Sequence, residues 1–222
     1  MLKQYGHVLV AEYSSESIQD WVCFNAQYLR VELPTDSNSE ILMQQKGFYF
    51  ADRTLKTSIS LRKCSLDFNK FLRIPIEETT EYKKEILQIA KNSFTYDRRF
   101  YVSPFGSKEI AFTVLQSYIE DLDKVLVALF KDKPIGFLAL KEIDTETLFV
   151  HLAAVDEKYR MTGAAMALYA KACQIALERG YKKLEGRVSS QNVAVMNLYA
   201  AFGAIFSEPK NFFIKEVNHD AW

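Results

Sequence analysis

Between residues 124 and 155, three apolar β-rich runs follow one another: KVLVALFKD, KPIGFLALKEI and ETLFVHLAAV. Only short polar turns, at 131–134 and 144–146, separate them. Runs linked so tightly pair with their neighbours, so the segment reads as an antiparallel meander. The third run passes through a polar turn into a long alanine-rich helix that reaches Arg179 and stops at Gly180. A strand KKLEGRV, a helix over about 193–202 stopped by Gly203, and a strand or hairpin AIFSEPKNFFIKEV complete the chain. Upstream, after the break at Pro75, EETTEYKKEILQIAKNSF reads as a helix. Thr79 or Thr80 would cap it, and Ile86, Leu87 and Ala90 would form its apolar stripe. A second helix, SKEIAFTVLQSYIEDL, starts near Ser107. The expected class is therefore mixed α/β, with residues 75–222 as its main unit.

Residues 1–74 are expected to form a separate N-terminal α/β lobe. HVLVAEY (7–13) reads as a short strand, GFYFADRTLKTSISL (47–61) as a strand or hairpin, and SESIQDWVCFNAQYL as helix or strand. The 222 residues suit one domain with a sizeable extension. Lys plus Arg and Asp plus Glu each number 28, so the chain is formally neutral and has no global field for a nucleic-acid backbone or an anionic membrane. Cys23, Cys64 and Cys173 are dispersed and odd in number, which points to a reducing cytoplasm rather than a disulfide framework. The three histidines, His7, His151 and His219, stand apart, so no metal site is expected. No apolar stretch approaches the roughly 18 residues of a membrane span. No two glycines lie closer than six positions, which removes the GxGxxG and GxxxxGK phosphate loops.

Chemistry concentrates in LFVHLAAVDEKYRMTGAAMALYAKACQIALERG (148–180). A helix opening near Gly163 presents unpaired N–H groups and a positive dipole end, suited to a pyrophosphate. Gly163, Ala164 and Ala165 are small, and Arg160 stands one turn earlier. The same string also describes a plain strand–helix corner with a buried helix. In the second segment, SSQNVAVMNLYAAFGA, Asn192 occupies an N-cap position and Tyr199 lies two helical turns further along the same face. Alone, these would be a cap and a packed ring.

Together the two segments resemble the GNAT superfamily of N-acetyltransferases. Arg160, Met161, Thr162, Gly163, Ala164 and Ala165 match its R/Q-x-x-G-x-G/A signature. About thirty residues on, Asn192-x6-Tyr199-x3-Gly203 is similar to N-x-x-A-x-x-L-Y-x-x-x-G-F, with Val195 in place of the usual Ala and Ala204 in place of the usual aromatic. The resemblance covers residues 75–222 and implies an acyl-CoA N-acyltransferase fold, a central mostly antiparallel sheet flanked by helices. It implies acetyl-CoA as cosubstrate, no metal, and direct transfer to an amine. By that resemblance Leu152, Ala153, Ala154 and Val155 would run beside the pantetheine arm, with a backbone N–H as oxyanion donor. Residues 160–165 would hold the pyrophosphate, Asn192 would bond the cofactor arm, and Tyr199 would protonate the leaving thiolate.

For the base, His151 lies four residues before Val155 and carries a side chain suited to proton transfer near neutrality, although it also reads as a structural histidine. Glu142 and Glu185 are weaker candidates, and Cys173 reads as packing. The loop TYDRRFYVSPF offers Tyr96 for stacking and Arg98 and Arg99 for phosphate oxygens. With its F-x-x-D-x-R-F-like pattern behind a lobe of this length, it resembles the TDP-fucosamine acetyltransferase branch, whose acceptor is a nucleotide-linked amino sugar. The expected partner is thus a small-molecule amine, with no nucleic acid or membrane, and a homodimer is compatible with the sequence. Rival readings are a protein or peptide N-acetyltransferase and a non-catalytic acyl-CoA-binding module.

Overall fold

The computed structural model describes residues 2–5, 8–14, 26–62, 67–94, 108–122 and 125–217. The strands are β1 (Leu2–Tyr5), β2 (Val8–Ser14), β3 (Tyr28–Pro34), β4 (Tyr49–Ser60), β5 (Ile76–Thr79), β6 (Val125–Phe130), β7 (Lys133–Glu142), β8 (Thr147–Val155), β9 (Lys183–Ser189) and β10 (Ile205–Glu216). The helices are α1 (Ser37–Gln45), α2 (Lys83–Ser93), α3 (Lys108–Glu120), α4 (Ala164–Glu178) and α5 (Val193–Ala201). The ten strands form one sheet in the order β1-β2-β3-β10-β4-β9-β8-β7-β6-β5. Two of its pairs, β2–β3 and β8–β9, are parallel, and the rest are antiparallel. This is the mixed α/β architecture expected.

The meander is present as β6–β7–β8, and its first turn is the two-residue hairpin Lys131 and Asp132, both at positive φ (48° and 60°). Paired positive φ angles match the right-handed twist of the strands on either side. Gly180 (φ 83°) and Gly203 (φ 74°) follow α4 and α5 as left-handed stops.

Other expectations change. The segment after Pro75 is not one helix: Ile76–Thr79 pairs with β6 as an edge strand, and α2 begins at Lys83 after Tyr82 in the left-handed region, without a side-chain cap. Thr79 instead accepts the Glu81 N–H through its hydroxyl, a local turn that competes with helix. Helix α1, capped by Asp36, was not foreseen.

The expected boundary at residue 75 does not interrupt the sheet. β4 lies between β9 and β10, pairing with Lys183–Ser189 on one side and with β10 on the other. Arg53, Glu40 and the buried Asn211 add cross-links: Arg53 Nη2 donates to Glu40 (2.9 Å), and Arg53 Nε donates to the side-chain Oδ1 of Asn211 (2.8 Å).

The sheet is covered on both faces. On one, α4 and α5 pack over Leu126, Leu138, Leu148, Val150, Leu184 and Val188. On the other, α2 and α3 cover Val127, Phe137, Ala139 and Leu152. Helix α3 extends this cover to the β2–β3–β10 side, where Val114 meets Val10, Phe212 and Ile214. Among the described residues no helix is long and apolar enough to cross a membrane.

Candidate active site

The site is built where β8 and β9 part. They pair in parallel from Thr147↔Lys183 to Val150↔Gly186 and no further. Beyond that point β8 stays with β7 as far as Gly136↔Val155, while β9 stays with β4 as far as Thr54↔Ser189. The edge of β8 from His151 to Val155 is therefore not laddered to β9. Unpaired strand edges are ready to accept an extended polar chain. That edge comprises Leu152, Ala153, Ala154 and Val155, the residues expected to face the pantetheine. At its end Ser93, the last residue of α2, donates its hydroxyl to the Val155 carbonyl (3.2 Å).

A β-bulge marks the start of the gap. Ala139 pairs with Leu152 and Leu140 with Val150, leaving His151 as the extra residue. In a regular strand Val150 and Leu152 would share a face. Here Val150 packs under α4 and Leu152 under α2 and α3, because the bulge turns the strand between them. His151 is solvent-accessible, with its ring 5.8 Å from that of Tyr118 on α3. Burial, and then Lys141 and Lys3, hold its imidazole below the ordinary histidine pKa. It is thus mostly neutral near pH 7 and able to accept a proton.

From Val155 the chain enters a 3-10 turn, Glu157–Thr162, capped by Asp156, whose carboxylate accepts the Lys158 N–H. Gly163 follows at φ 86°, a left-handed angle that suits glycine, and α4 opens directly after it. Space is not the reason for glycine here, since nothing lies within 4 Å of where its Cβ would be. Arg160, Met161, Thr162 and Gly163 are exposed, Ala164 is buried and Ala165 is half-buried. Arg160 makes no hydrogen bond or ion pair among the described residues, and it is exposed three residues before Gly163, where α4 opens. That combination fits a pyrophosphate.

Tyr199 sits at the vertex of the gap. It is 2% exposed and packs edge-on to Tyr169 of α4 (5.0 Å, 85°). A Cβ on Gly186 would fall 2.2 Å from its Oη, so the phenol rests on bare strand backbone. Burial, the larger cause, pushes the Tyr199 pKa up, while the neighbouring Tyr169 and Thr57 hydroxyls draw it down. The balance leaves a protonated phenol near neutrality.

Asn192 caps α5, its Oδ1 accepting the Val195 N–H at 3.2 Å. The other base candidates are engaged elsewhere: Glu185 is held by Lys56 (3.2 Å) and by the Ser58 hydroxyl, and Glu142 is exposed beside Tyr181. Cys173 is fully buried in the core under α4. Tyr96, Arg98 and Arg99 lie outside the described residues.

Sequence reasoning missed Gly186 and Thr57. For Gly186 a signal existed, because a lone glycine inside a strand marks a close approach of other atoms. Thr57 carried no such signal.

Residues 84–204 match the model of the Acetyltransferase (GNAT) family. No curated protein matches the chain in sequence. Among solved structures, a functionally unknown conserved protein from Staphylococcus epidermidis superposes with a TM-score of 0.62 at 16% identity, over 87% of this chain and 74% of that one. A GCN5-related N-acetyltransferase from Sphaerobacter thermophilus gives 0.58 at 19% identity, over 85% and 59%. A tandem GNAT protein from the clavulanic acid biosynthesis pathway gives 0.55 at 11%, over 86% and 64%. This chain thus spans less than two thirds of the last two proteins. The similarity in structure carries the fold, and the family match spans more than half of the sequence, including both signature segments: the chain belongs to the GNAT family of acetyltransferases, whose reaction is acetyl transfer from acetyl-CoA.

Proposed function

We propose that this protein moves an acetyl group from acetyl-CoA directly to a primary amine of a small molecule. The observation that carries this reading is the gap between β8 and β9. It has an accessible, low-pKa histidine at the bulge, a protonated tyrosine at the vertex and a free helix start at its outer end.

Acetyl-CoA supplies an acetyl group already activated as a thioester. Arg160 and the N–H groups following Gly163 hold its phosphates, and the open edge of β8 from Leu152 to Val155 aligns its arm. His151 takes the proton of the attacking amine, and Tyr199 gives its own to the sulfur as the carbon–sulfur bond breaks. The effect of alignment is large, because holding two reactants in register removes most of the entropy cost of their encounter. Asn192 supports this arrangement by fixing the first turn of α5, the helix that carries Tyr199.

For the acceptor, the amino group of a nucleotide-linked sugar fits the string that holds Tyr96, Arg98 and Arg99. Aromatic rings and paired guanidinium groups suit a sugar ring and a diphosphate. The TDP-fucosamine branch rests on that string and on the length of the lobe before it.

Calorimetric titration with acetyl-CoA, followed by thiol release with nucleotide-linked amino sugars, tests the reading. Micromolar-range binding is expected, weakened roughly tenfold by Arg160→Glu, the scale of one charge-assisted phosphate contact. Tyr199→Phe should keep the binding and lose about 10²-fold in kcat. No binding at millimolar acetyl-CoA would reject the proposal.

A further inference from the structure

Tyr199 does not hold its position through its own helix alone. The strand beneath it is β9, and one neighbour of β9 is β4, which comes from a segment about 130 residues earlier in the chain. In the β4–β9 ladder Thr57 is the direct partner of Gly186. The vacant Cβ position of Gly186 has Tyr199 Oη at 2.2 Å, Tyr199 Cζ at 3.1 Å and Thr57 Oγ1 at 3.2 Å. Both hydroxyl oxygens therefore crowd the same point. Thr57 is wholly buried, and its Oγ1 lies close enough to the Tyr199 hydroxyl to draw that group's pKa down, yet makes no hydrogen bond of good distance and angle among the described residues. A buried hydroxyl left in that state is costly, and valine would fill the same volume without the cost. Retaining the hydroxyl makes physical sense if it acquires a partner at another point in the cycle.

We propose that β4 completes the acid end of the active site, with Thr57 as a positioning residue whose hydroxyl donates to the Tyr199 oxygen as that oxygen gives up its proton. This rests on the reading of Tyr199 as general acid. As the carbon–sulfur bond of the thioester breaks, its electron pair stays on sulfur and the Tyr199 proton moves to that sulfur. The phenolate left behind accepts hydrogen bonds from Thr57 and from Tyr169. Tyr199 then recovers a proton from solvent, which has received the one lost by the amine through His151, so one proton passes overall from nitrogen to sulfur. A bond to an oxygen that is gaining charge is stronger than a bond to a neutral phenol. The Thr57 contact therefore favours the transition state over the ground state and acts on kcat. Gly186 is the second requirement, since any side chain there would lift Tyr199 away from Thr57.

The test is steady-state kinetics of the 222-residue chain across pH, for wild type, Thr57→Val, Thr57→Ser and Tyr199→Phe. Thr57→Val should lower kcat about tenfold, the worth of one hydrogen bond to a charged group, with KM for acetyl-CoA unchanged. It should also move the alkaline limb of the kcat profile to higher pH, because a group that favoured the phenolate is gone. Thr57→Ser should restore both. Wild-type kcat and an unmoved limb in Thr57→Val would overturn the proposal, as would a loss of kcat with an unmoved limb that serine does not rescue. If Thr57→Val does not fold, Thr57→Cys, with a weaker donor of similar size, is read by the same criteria. If Tyr199→Phe loses activity while Thr57→Val does not, this inference alone falls. If Tyr199→Phe keeps full activity, the general-acid reading falls with it.

Discussion

At the scale of single residues, His151 is the group whose environment most directly sets a pH response. Burial and two lysines disfavour its charged form, so the pKa in the folded protein lies below that of the unfolded chain. A base must be neutral to act. The acid limb of kcat/KM is therefore expected below about pH 6.5, the ordinary histidine value, and His151→Gln should lower kcat/KM by 10²-fold or so and abolish that limb. A pH–rate profile of the two proteins checks this, and an unchanged limb in the variant would remove His151 as the base. The same shift has a sign for stability. The unfolded chain binds a proton at His151 before the folded chain does, so stability falls as pH drops through the unfolded pKa toward the folded one.

At the scale of elements, the bulge in β8 and the short helix α5 do the positioning. The bulge re-aims one residue toward Tyr118 while keeping both flanking side chains in the two cores. Helix α5 is anchored at its C-terminal end by Phe202, which is 1% exposed. Its ring lies 6.3 Å from Phe68 and 5.7 Å from Phe71, both in the 3-10 turn Phe68–Phe71, and 6.3 Å from Tyr169. Phe202→Ala should thus destabilise the protein by about 3–5 kcal/mol, the range for a large buried ring, and loosen Tyr199 three residues earlier. Urea unfolding gives the first effect and kcat the second. A loss under about 1 kcal/mol would mean that the α5 end collapses onto the gap.

At the scale of the whole molecule, one sheet runs through both the N-terminal segment and the family-matched region. β4 has more than ladder bonds to offer: Leu55 and Ile59 lie in or against the core under α4, and Ala51 is in the core beside α3. A fragment of residues 75–222 would leave the facing edges of β9 and β10 without the strand that lies between them. Such edges pair with other chains, so the fragment is expected to aggregate or to lack a cooperative thermal transition, whereas the full chain unfolds cooperatively. A soluble fragment with a sharp transition would show instead that residues 75–222 are self-sufficient.

What the sequence by itself determined is what local physics writes down. The meander at 124–155, the stops at Gly180 and Gly203, the helix opening at Gly163 and the cap at Asn192 are settled by residues within a few positions of each other. Periodicity, turn chemistry and capping act over that range. Ile76–Thr79 failed on the same logic, because its polar string suits a helix start and only the neighbouring edge of β6 made it a strand. The tertiary structure alone decided which strand lies beside which. Every strand edge presents the same N–H and C=O groups, so nothing in YFADRTLKTSIS announces that it belongs between β9 and β10. The parting of β8 from β9, the place of Tyr199 over Gly186, and the approach of Thr57 all follow from that choice. They depend on contacts between residues far apart in the chain, of which only Gly186, a lone glycine inside a strand, carried a local mark.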